Sequence, residues 1–137
     1  MKIYFDENFP PQLAKALQIL HSGKGGEGIE VFNVSDIYGR GAEDERWIVD
    51  IAKKNGIIIT QDLSIHRSRL QKKLYIKSGC GIIFIKPPAK TGYTYWQFVE
   101  RIFCKWNEVI KLCKKNKPPF ALILRPRSTR LEVWTNT

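Results

Sequence analysis

The sequence predicts an α/β protein with a mostly parallel central sheet, helices on both sides of the sheet and a C-terminal β-hairpin. Strand-like and helix-like segments alternate through residue 86, which is typical of parallel strands joined by crossover helices. The segment GIIIT at 56–60 is a continuous apolar run, as expected of a strand that is buried on both faces. The segments FALILRP and RLEVW close the chain as the predicted hairpin.

The elements of the first half follow from apolar spacing and from turn residues. Residues 2–5 alternate in the manner of a strand. Pro10 and Pro11 suit the start of a helix over residues 10–21, because the first helical positions need no amide donor. The glycine-rich loop of residues 21–28 ends this helix. The remaining elements of this half are a strand over 29–34, a turn over 35–41, a helix over 42–54 and the strand over 56–60.

The second half contains a basic helical connection and the longest predicted helix. Residues 63–79 form the connection, which leads to a strand over 81–86. A helix over 94–116 follows, with an apolar stripe along one side. The stripe consists of Phe98, Ile102, Trp106, Val109 and Cys113. The hairpin strands cover residues 120–126 and 130–134. Three tryptophans are assigned to the core or to an interface rather than to base stacking, namely Trp96, Trp106 and Trp134.

The length of the chain and the distribution of its charges indicate a single domain with a polyanionic partner. The 137 residues are expected to form one domain, 1–137, around a single core. The net charge of +10 is uneven, because residues 1–62 hold seven Lys/Arg and ten Asp/Glu, whereas residues 63–137 hold sixteen and three. Such a basic half indicates a polyanionic partner, either nucleic acid or an acidic protein. No apolar run approaches the roughly 20 residues that span a bilayer, and the N-terminus is typical of a strand rather than a signal peptide, so a cytoplasmic location is expected.

Three carboxylates are predicted to meet at one edge of the sheet. Asp6 follows the first strand directly, and Asp62 follows GIIIT by two residues. These two acids share an edge if their strands are parallel neighbours, and ligands of such sheets bind at the carboxyl ends of the strands. Asp44 lies on the same helical face as Trp47 and Ile51, so burial of that face turns Asp44 inward.

Carboxylates gathered in this way repel one another unless a cation lies between them. They would bind Mg²⁺ or Mn²⁺, which prefer oxygen ligands, or one of them would gain a raised pKa and work in acid/base chemistry without metal. Each acid also has an ordinary role when taken singly, Asp44 and Asp62 as helix caps and Asp6 at the start of a turn. Asn8 is placed to cap the helix at Pro10. The joint placement of the three acids favours a site.

The segments DENFPPQLAKAL and VFNVSDIYGRGAEDERWIVDIAKKNGIIITQD closely resemble the small PIN-like nuclease domains of bacterial toxin–antitoxin modules, the VapC-like toxins. The pattern of that family runs D-E-N-x-x-P, then V-x-x-V-x-D with G-A-x-D-E, and a strand that ends in T-x-D. The resemblance covers residues 2–62 well and 80–134 more loosely. It implies a three-layer α/β/α PIN-like fold, an acidic metal site and Mg²⁺- or Mn²⁺-dependent cleavage of RNA.

The resemblance also assigns roles to individual residues. It gives Asp6, Asp44 and Asp62 the catalytic, metal-binding positions. The residues expected to support them are Glu7, Asn8, Glu45, Thr60 and Ser64. Ser64 stands where the family usually has a fourth acid, so a second metal ion is expected to bind less well. The basic segment that follows is predicted to hold an RNA backbone. Its members are His66, Arg67, Arg69, Lys72, Lys73 and Lys77.

Three functions are consistent with this sequence. The first is a metal-dependent endoribonuclease that acts as the toxin of a toxin–antitoxin module and pairs with a cognate antitoxin protein. The second is a catalytically weakened PIN-like module that binds RNA or a partner protein without cleavage. The third is an unrelated α/β enzyme that acts on a small substrate, and the basic half disfavours it. The oligomeric state, including a homodimer, is open at this point.

Overall fold

The structure is a computed structural model that describes residues 1–23, 25–41, 44–61 and 65–134, and it leaves the side chains of residues 44–45, 65–69 and 71 undescribed. The strands are β1 Lys2–Phe5, β2 Glu30–Asn33, β3 Ile57–Gln61, β4 Gly81–Ile85, β5 Phe120–Leu124 and β6 Glu132–Val133. The helices are α1 Pro11–His21, α2 Val34–Tyr38, α3 Asp44–Lys53, α4 Ile65–Ser78 and α5 Tyr95–Lys115.

The strands form one sheet of six in the order β2-β1-β3-β4-β5-β6. The strands β1 to β5 pair in parallel, and β6 pairs antiparallel with β5, where Leu122 lies opposite Val133. Each parallel pair needs a crossover connection, and the helices between the strands supply it. The predicted mostly parallel sheet with a final antiparallel pair is therefore confirmed.

Helices cover both faces of the sheet. Alternate residues of a strand point to opposite faces, so Ile3 and Phe5 pack on one side of β1 and Tyr4 packs on the other. The first face is covered by α1 and α5, which contribute Leu13 and Ile102 to its core. The second face is covered by α2, α3 and α4. These layers give the three-layer α/β/α arrangement that was expected. No helix in the described parts of the chain is long and apolar enough to cross a membrane.

The segment predicted as a turn over 35–41 contains a short helix, so that prediction is wrong. The helix α2 begins after Asn33, whose side-chain oxygen accepts a hydrogen bond from the amide of Ser35 at 2.9 Å. This is the usual way in which asparagine caps a helix start. Asn33 is itself buried at the end of β2, and Gly39 ends the helix with a positive φ of 85°.

The capping role considered for Asn8 is also wrong. Pro10 occupies the N-cap position of α1, in an extended conformation, and no side chain caps the helix there. Pro11 at the first helical position has no amide that needs a partner. Asn8 instead directs both its backbone amide and its side chain toward Asp6.

Candidate functional site

Asp6 directly follows β1 at the carboxyl end of the sheet, next to β3. The strands β1 and β3 are parallel neighbours, with Phe5 opposite Ile59. The amide of Asp6 continues this pairing and donates to the carbonyl of Ile59 at 3.1 Å. The sequence analysis placed Asp6 and Asp62 at one edge on the condition that their strands are parallel neighbours, and the structure meets that condition. Asp62 itself, like Ser64, lies outside the described residues.

The carboxylate of Asp6 is buried and surrounded by hydrogen-bond donors. Its side chain is 3% exposed. One carboxylate oxygen accepts from the backbone amide of Asn8 at 3.0 Å, and the other accepts from the side-chain amide of Asn8 at 3.4 Å. The hydroxyl of Thr60, which is fully buried on β3, donates to that second oxygen. Thr60 and Asn8 therefore hold the carboxylate in one orientation.

Burial raises the pKa of Asp6 from its usual value of 3.8 to about 6. Desolvation of the ionised carboxyl is the main cause, and the nearby Glu7 raises the pKa further. The hydrogen bonds from Thr60 and Asn8 favour the ionised form and partly offset the rise. At neutral pH Asp6 therefore carries a charge that costs folding energy unless a cation compensates it.

The donor set around Asp6 fits a divalent cation. An ionised carboxylate offers about four lone-pair positions, and Asn8 and Thr60 occupy three of them. One acceptor position remains on a hard oxygen ligand of the kind that Mg²⁺ and Mn²⁺ prefer. Within the described residues no three His, Cys, Asp or Glu side chains gather closely enough to hold a metal ion. The side chain of Asp44 and the whole of Asp62, the other two predicted ligands, lie outside that set.

Glu7 connects the edge of the sheet with the segment that leads into α3. Its carboxylate accepts from the backbone amide of Gly41 at 3.4 Å. Asp44 is the first residue of α3 and follows Gly41 by three positions in the chain. The side chain of Glu45, the next predicted supporting residue, is outside the described set. Glu7 and Asn8 also line a cavity of about 300 Å³ with Pro11, Ser35 and Arg40.

Two residues that support this edge were missed by the sequence reasoning. The side-chain amide of Gln61 donates to the carbonyl of Asn8 at 2.8 Å and so holds the turn that carries Asn8. Asn33 donates to the carbonyl of Phe9 at 3.3 Å from the end of β2. Each is the last residue of its strand, at the same edge of the sheet as Asp6. A search for amide side chains at strand ends, and not for acids alone, would have found them.

The predicted basic RNA-binding segment lies on α4, and one of its lysines is not on the surface. Lys72 is only 8% exposed. Its ammonium group donates to the carbonyl of Trp134 at 2.5 Å and lies 4.6 Å from the centre of the Trp134 ring. Lys72 is therefore removed from the predicted RNA-binding residues, because its ammonium group is buried and bound to Trp134. Lys73 and Lys77 are exposed. The side chains of the remaining members lie outside the described residues, namely His66, Arg67 and Arg69.

Substitution of Thr60 tests how Asp6 is held. Thr60→Val keeps the shape of the side chain but removes the hydroxyl that lowers the pKa of Asp6. We expect the pKa of Asp6 to rise above its value of about 6, because burial then acts with less opposition. In a pH titration of the Asp6 carboxyl followed by NMR, the midpoint should move to higher pH in Thr60→Val and stay in place in Thr60→Ser. An unchanged midpoint in Thr60→Val would show that this hydroxyl does not tune the pKa of Asp6.

Comparison with known proteins gives the family of the chain. A family model described as "PIN like domain" matches residues 1–87, which is more than half of the chain and includes β1 to β4 and Asp6. No curated protein and no solved structure matches the chain. The match ends before α5, so the last helix and the final two strands lie outside it. PIN-like domains are typically nucleases, which use divalent metals as a rule. The chain therefore belongs to the PIN-like domain family.

Proposed function

We propose that the protein is a Mg²⁺- or Mn²⁺-dependent endoribonuclease and the toxin of a toxin–antitoxin module. The observation that carries the proposal is the buried carboxylate of Asp6 at the end of two parallel strands, with one acceptor position left for a cation. A buried acid with a raised pKa at the ligand-binding edge of a parallel sheet is typical of a functional site. The nuclease character of the family supports the same conclusion.

Asp6, Asp44 and Asp62 are proposed as the ligands of the metal. When bound there, the metal supplies a water activated at neutral pH and positive charge beside the scissile phosphate. Asn8 and Thr60 contribute by fixing the orientation of the Asp6 carboxylate and by favouring its ionised form. Glu7 accepts a hydrogen bond from the amide of Gly41 and so holds the segment that leads to Asp44. Products with 5′-phosphate and 3′-hydroxyl ends are expected.

The antitoxin is proposed to bind over the edge that carries Asp6. Acidic side chains on that partner would complement the basic second half of the chain, which contains sixteen Lys/Arg and only three Asp/Glu. Expression of the chain alone should then arrest growth, and the arrest should depend on the same residues as RNA cleavage. A cytoplasmic location follows from this role as part of the proposal.

The exposed lysines of α4 are expected to contact the RNA backbone. Lys73→Ala and Lys77→Ala should each weaken RNA binding about two- to fivefold at low salt, equally for unrelated sequences, and reduce the salt dependence of binding by about one ion. Lys15→Ala, at an exposed lysine of α1 on the other face of the sheet, is the matched control and should have a smaller effect. Fluorescence anisotropy at several salt concentrations measures both quantities. Equal effects of all three changes would argue against a binding face on α4.

Mapping of the RNA ends tests the proposal as a whole. Purified protein is incubated with RNA in the presence of Mg²⁺ or Mn²⁺ and, in parallel, with EDTA. New 5′-phosphate ends that form only with the metal support the proposed function. RNA that is bound but stays intact under every metal condition would instead support the binding module without cleavage. Degradation that EDTA leaves unchanged would contradict a metal-dependent reaction.

A further inference from the structure

Two adjacent aromatic side chains at the start of α5 lie on the surface. Trp96 is 73% exposed and Tyr95 is 47% exposed, so of the two locations predicted for Trp96, core or interface, the core is excluded. Trp106 and Trp134 behave as expected, since Trp106 is buried and Trp134 stacks on Phe84 with 4.3 Å between ring centres. The rings of Tyr95 and Trp96 pack edge to face at 5.3 Å from each other. Burial therefore does not explain why large aromatic side chains occupy these positions.

The aromatic pair lies at the same end of the sheet as Asp6. The loop of residues 86–94 leaves the carboxyl end of β4, and α5 begins where this loop ends. Phe98, two residues beyond Trp96, contacts Phe9 edge to face at 5.5 Å. Phe9 follows Asp6 by three residues, and its amide donates to the Asp6 carbonyl at 3.3 Å. A short chain of contacts thus fixes the start of α5 beside the turn that carries Asp6.

The start of α5 is also held rigidly. Thr94 accepts from the amide of Gln97 at 3.2 Å, and the side chain of Gln97 accepts from the amide of Thr94 at 2.8 Å. This reciprocal pair is a capping box, which fixes the first turn of a helix. The exposed rings therefore project from an ordered backbone, which reduces the entropy that is lost when a planar ligand binds on them.

Three exposed basic residues lie in the two loops at this end of the sheet. Lys90 is exposed in the loop before α5, and Arg127 and Arg130 are exposed in the loop that follows the carboxyl end of β5. Arg101 of α5 holds that second loop, because its guanidinium donates to the carbonyls of Arg125 and Ser128 at 2.8 and 2.6 Å. Both loops therefore bring positive charge to the end of the sheet from which the two aromatic rings project.

We propose that Trp96 and Tyr95 form a stacking site for unpaired bases, and that Lys90, Arg127 and Arg130 contact the phosphates of the same RNA strand. The inference rests on the proposed nuclease function and adds to it a second contact region, outside the acidic site and outside the residues matched by the family. Exposed aromatic rings in a basic setting are the usual means of binding single strands without reading their sequence. The surrounding cations favour RNA over an apolar protein partner.

Binding of RNA to a protein that does not cleave tests this site. The Asp6→Asn variant in EDTA serves as the parent, with a fluorescein-labelled single-stranded RNA of mixed sequence as the probe. Adding Trp96→Ala should raise the dissociation constant about tenfold, since base stacking on an aromatic ring contributes substantially to binding. Trp96→Phe keeps a ring and should stay within about threefold of the parent. Ile19→Ala removes an equally exposed apolar side chain, at 71%, from α1 and should change nothing.

A second probe separates stacking from charge. With an RNA of the same length that lacks its bases, the difference between Trp96→Ala and the parent should disappear, whereas the effect of Arg127→Ala should remain. Equal affinity of Trp96→Ala and Trp96→Phe for the normal RNA would overturn the stacking site, as would a Trp96 effect that persists without bases. Because binding is measured without cleavage, failure of the nuclease assay alone would overturn the proposed function and leave the stacking result standing.

Discussion

Replacement of Asp6 with asparagine is expected to lower the rate of metal-dependent RNA cleavage at least about 100-fold, because changes beside metal ligands already cost about 10- to 100-fold. Asparagine keeps the size of the side chain but removes the negative charge that would bind the cation. Growth arrest on expression should be lost together with cleavage. Cleavage of a labelled RNA by purified protein, at matched concentrations and with excess Mn²⁺, measures the effect.

The control for this change is Glu30→Gln. Glu30 is an exposed carboxylate at the start of β2, at the opposite end of the sheet from Asp6, so its replacement removes one negative charge away from the buried site. This variant should cleave RNA at nearly the rate of the wild type. If Asp6→Asn retained both cleavage and growth arrest, the acidic edge of the sheet would not be the site of the reaction.

The same substitution is expected to stabilise the metal-free protein at neutral pH. Burial raises the pKa of Asp6 from 3.8 to about 6, and each unit of pKa shift corresponds to about 1.4 kcal/mol. Because the folded pKa is the higher one, the contribution of this group to stability is fully present below about pH 4 and is lost as the pH rises through about 6. Asparagine does not ionise and avoids this loss, but it leaves the side-chain amide of Asn8 without its acceptor.

Urea denaturation in EDTA from pH 4 to pH 8 measures this effect. At pH 7.5 we expect the Asp6→Asn variant to exceed the wild type in free energy of unfolding by about 1–3 kcal/mol. The difference should shrink toward zero or reverse as the pH falls to 4, where the carboxyl is protonated in the folded state and close to half protonated in the unfolded state. All other titrating groups are common to the two proteins, so their contributions cancel. A difference that stays constant with pH would mean that Asp6 does not ionise at a desolvated position.

The sequence carried most of the information about the position of Asp6. The run GIIIT predicted a strand buried on both faces, and such a strand belongs in the middle of a parallel sheet. Its pairing with β1 was only a condition of the sequence reasoning, and the structure supplies it and places Asp6 beside Thr60. The helical spacing that turned the face of Trp47 and Ile51 inward was also correct, since both are buried.

The errors concern side chains whose partners are distant or unexpected. Lys72 was grouped with the exposed lysines of the same segment. Helical spacing cannot reveal that its ammonium group donates to the carbonyl of Trp134, 62 positions away in the chain. The short helix α2 is capped by Asn33. Asn33 is buried as the last residue of β2, which the sequence of the helix itself does not indicate. Asn8 is of a residue type that often caps helices, but Pro10 occupies the N-cap position and Asn8 hydrogen-bonds to Asp6. Only for Lys72 does a contact distant in sequence outweigh the local pattern, whereas Asn33 and Asn8 bond to partners two residues away.

Titration of the protein with Mn²⁺ tests most directly whether Asp6 is a metal ligand. Calorimetry on the wild type, Asp6→Asn and Glu30→Gln at pH 7.5 compares the buried carboxylate with an exposed one. We expect wild type and Glu30→Gln to bind Mn²⁺ alike and Asp6→Asn to bind at least about tenfold more weakly. Binding to the wild type should also weaken below about pH 6, where protons compete for the carboxylate. Equal affinity of Asp6→Asn and wild type would show that Asp6 does not bind the metal.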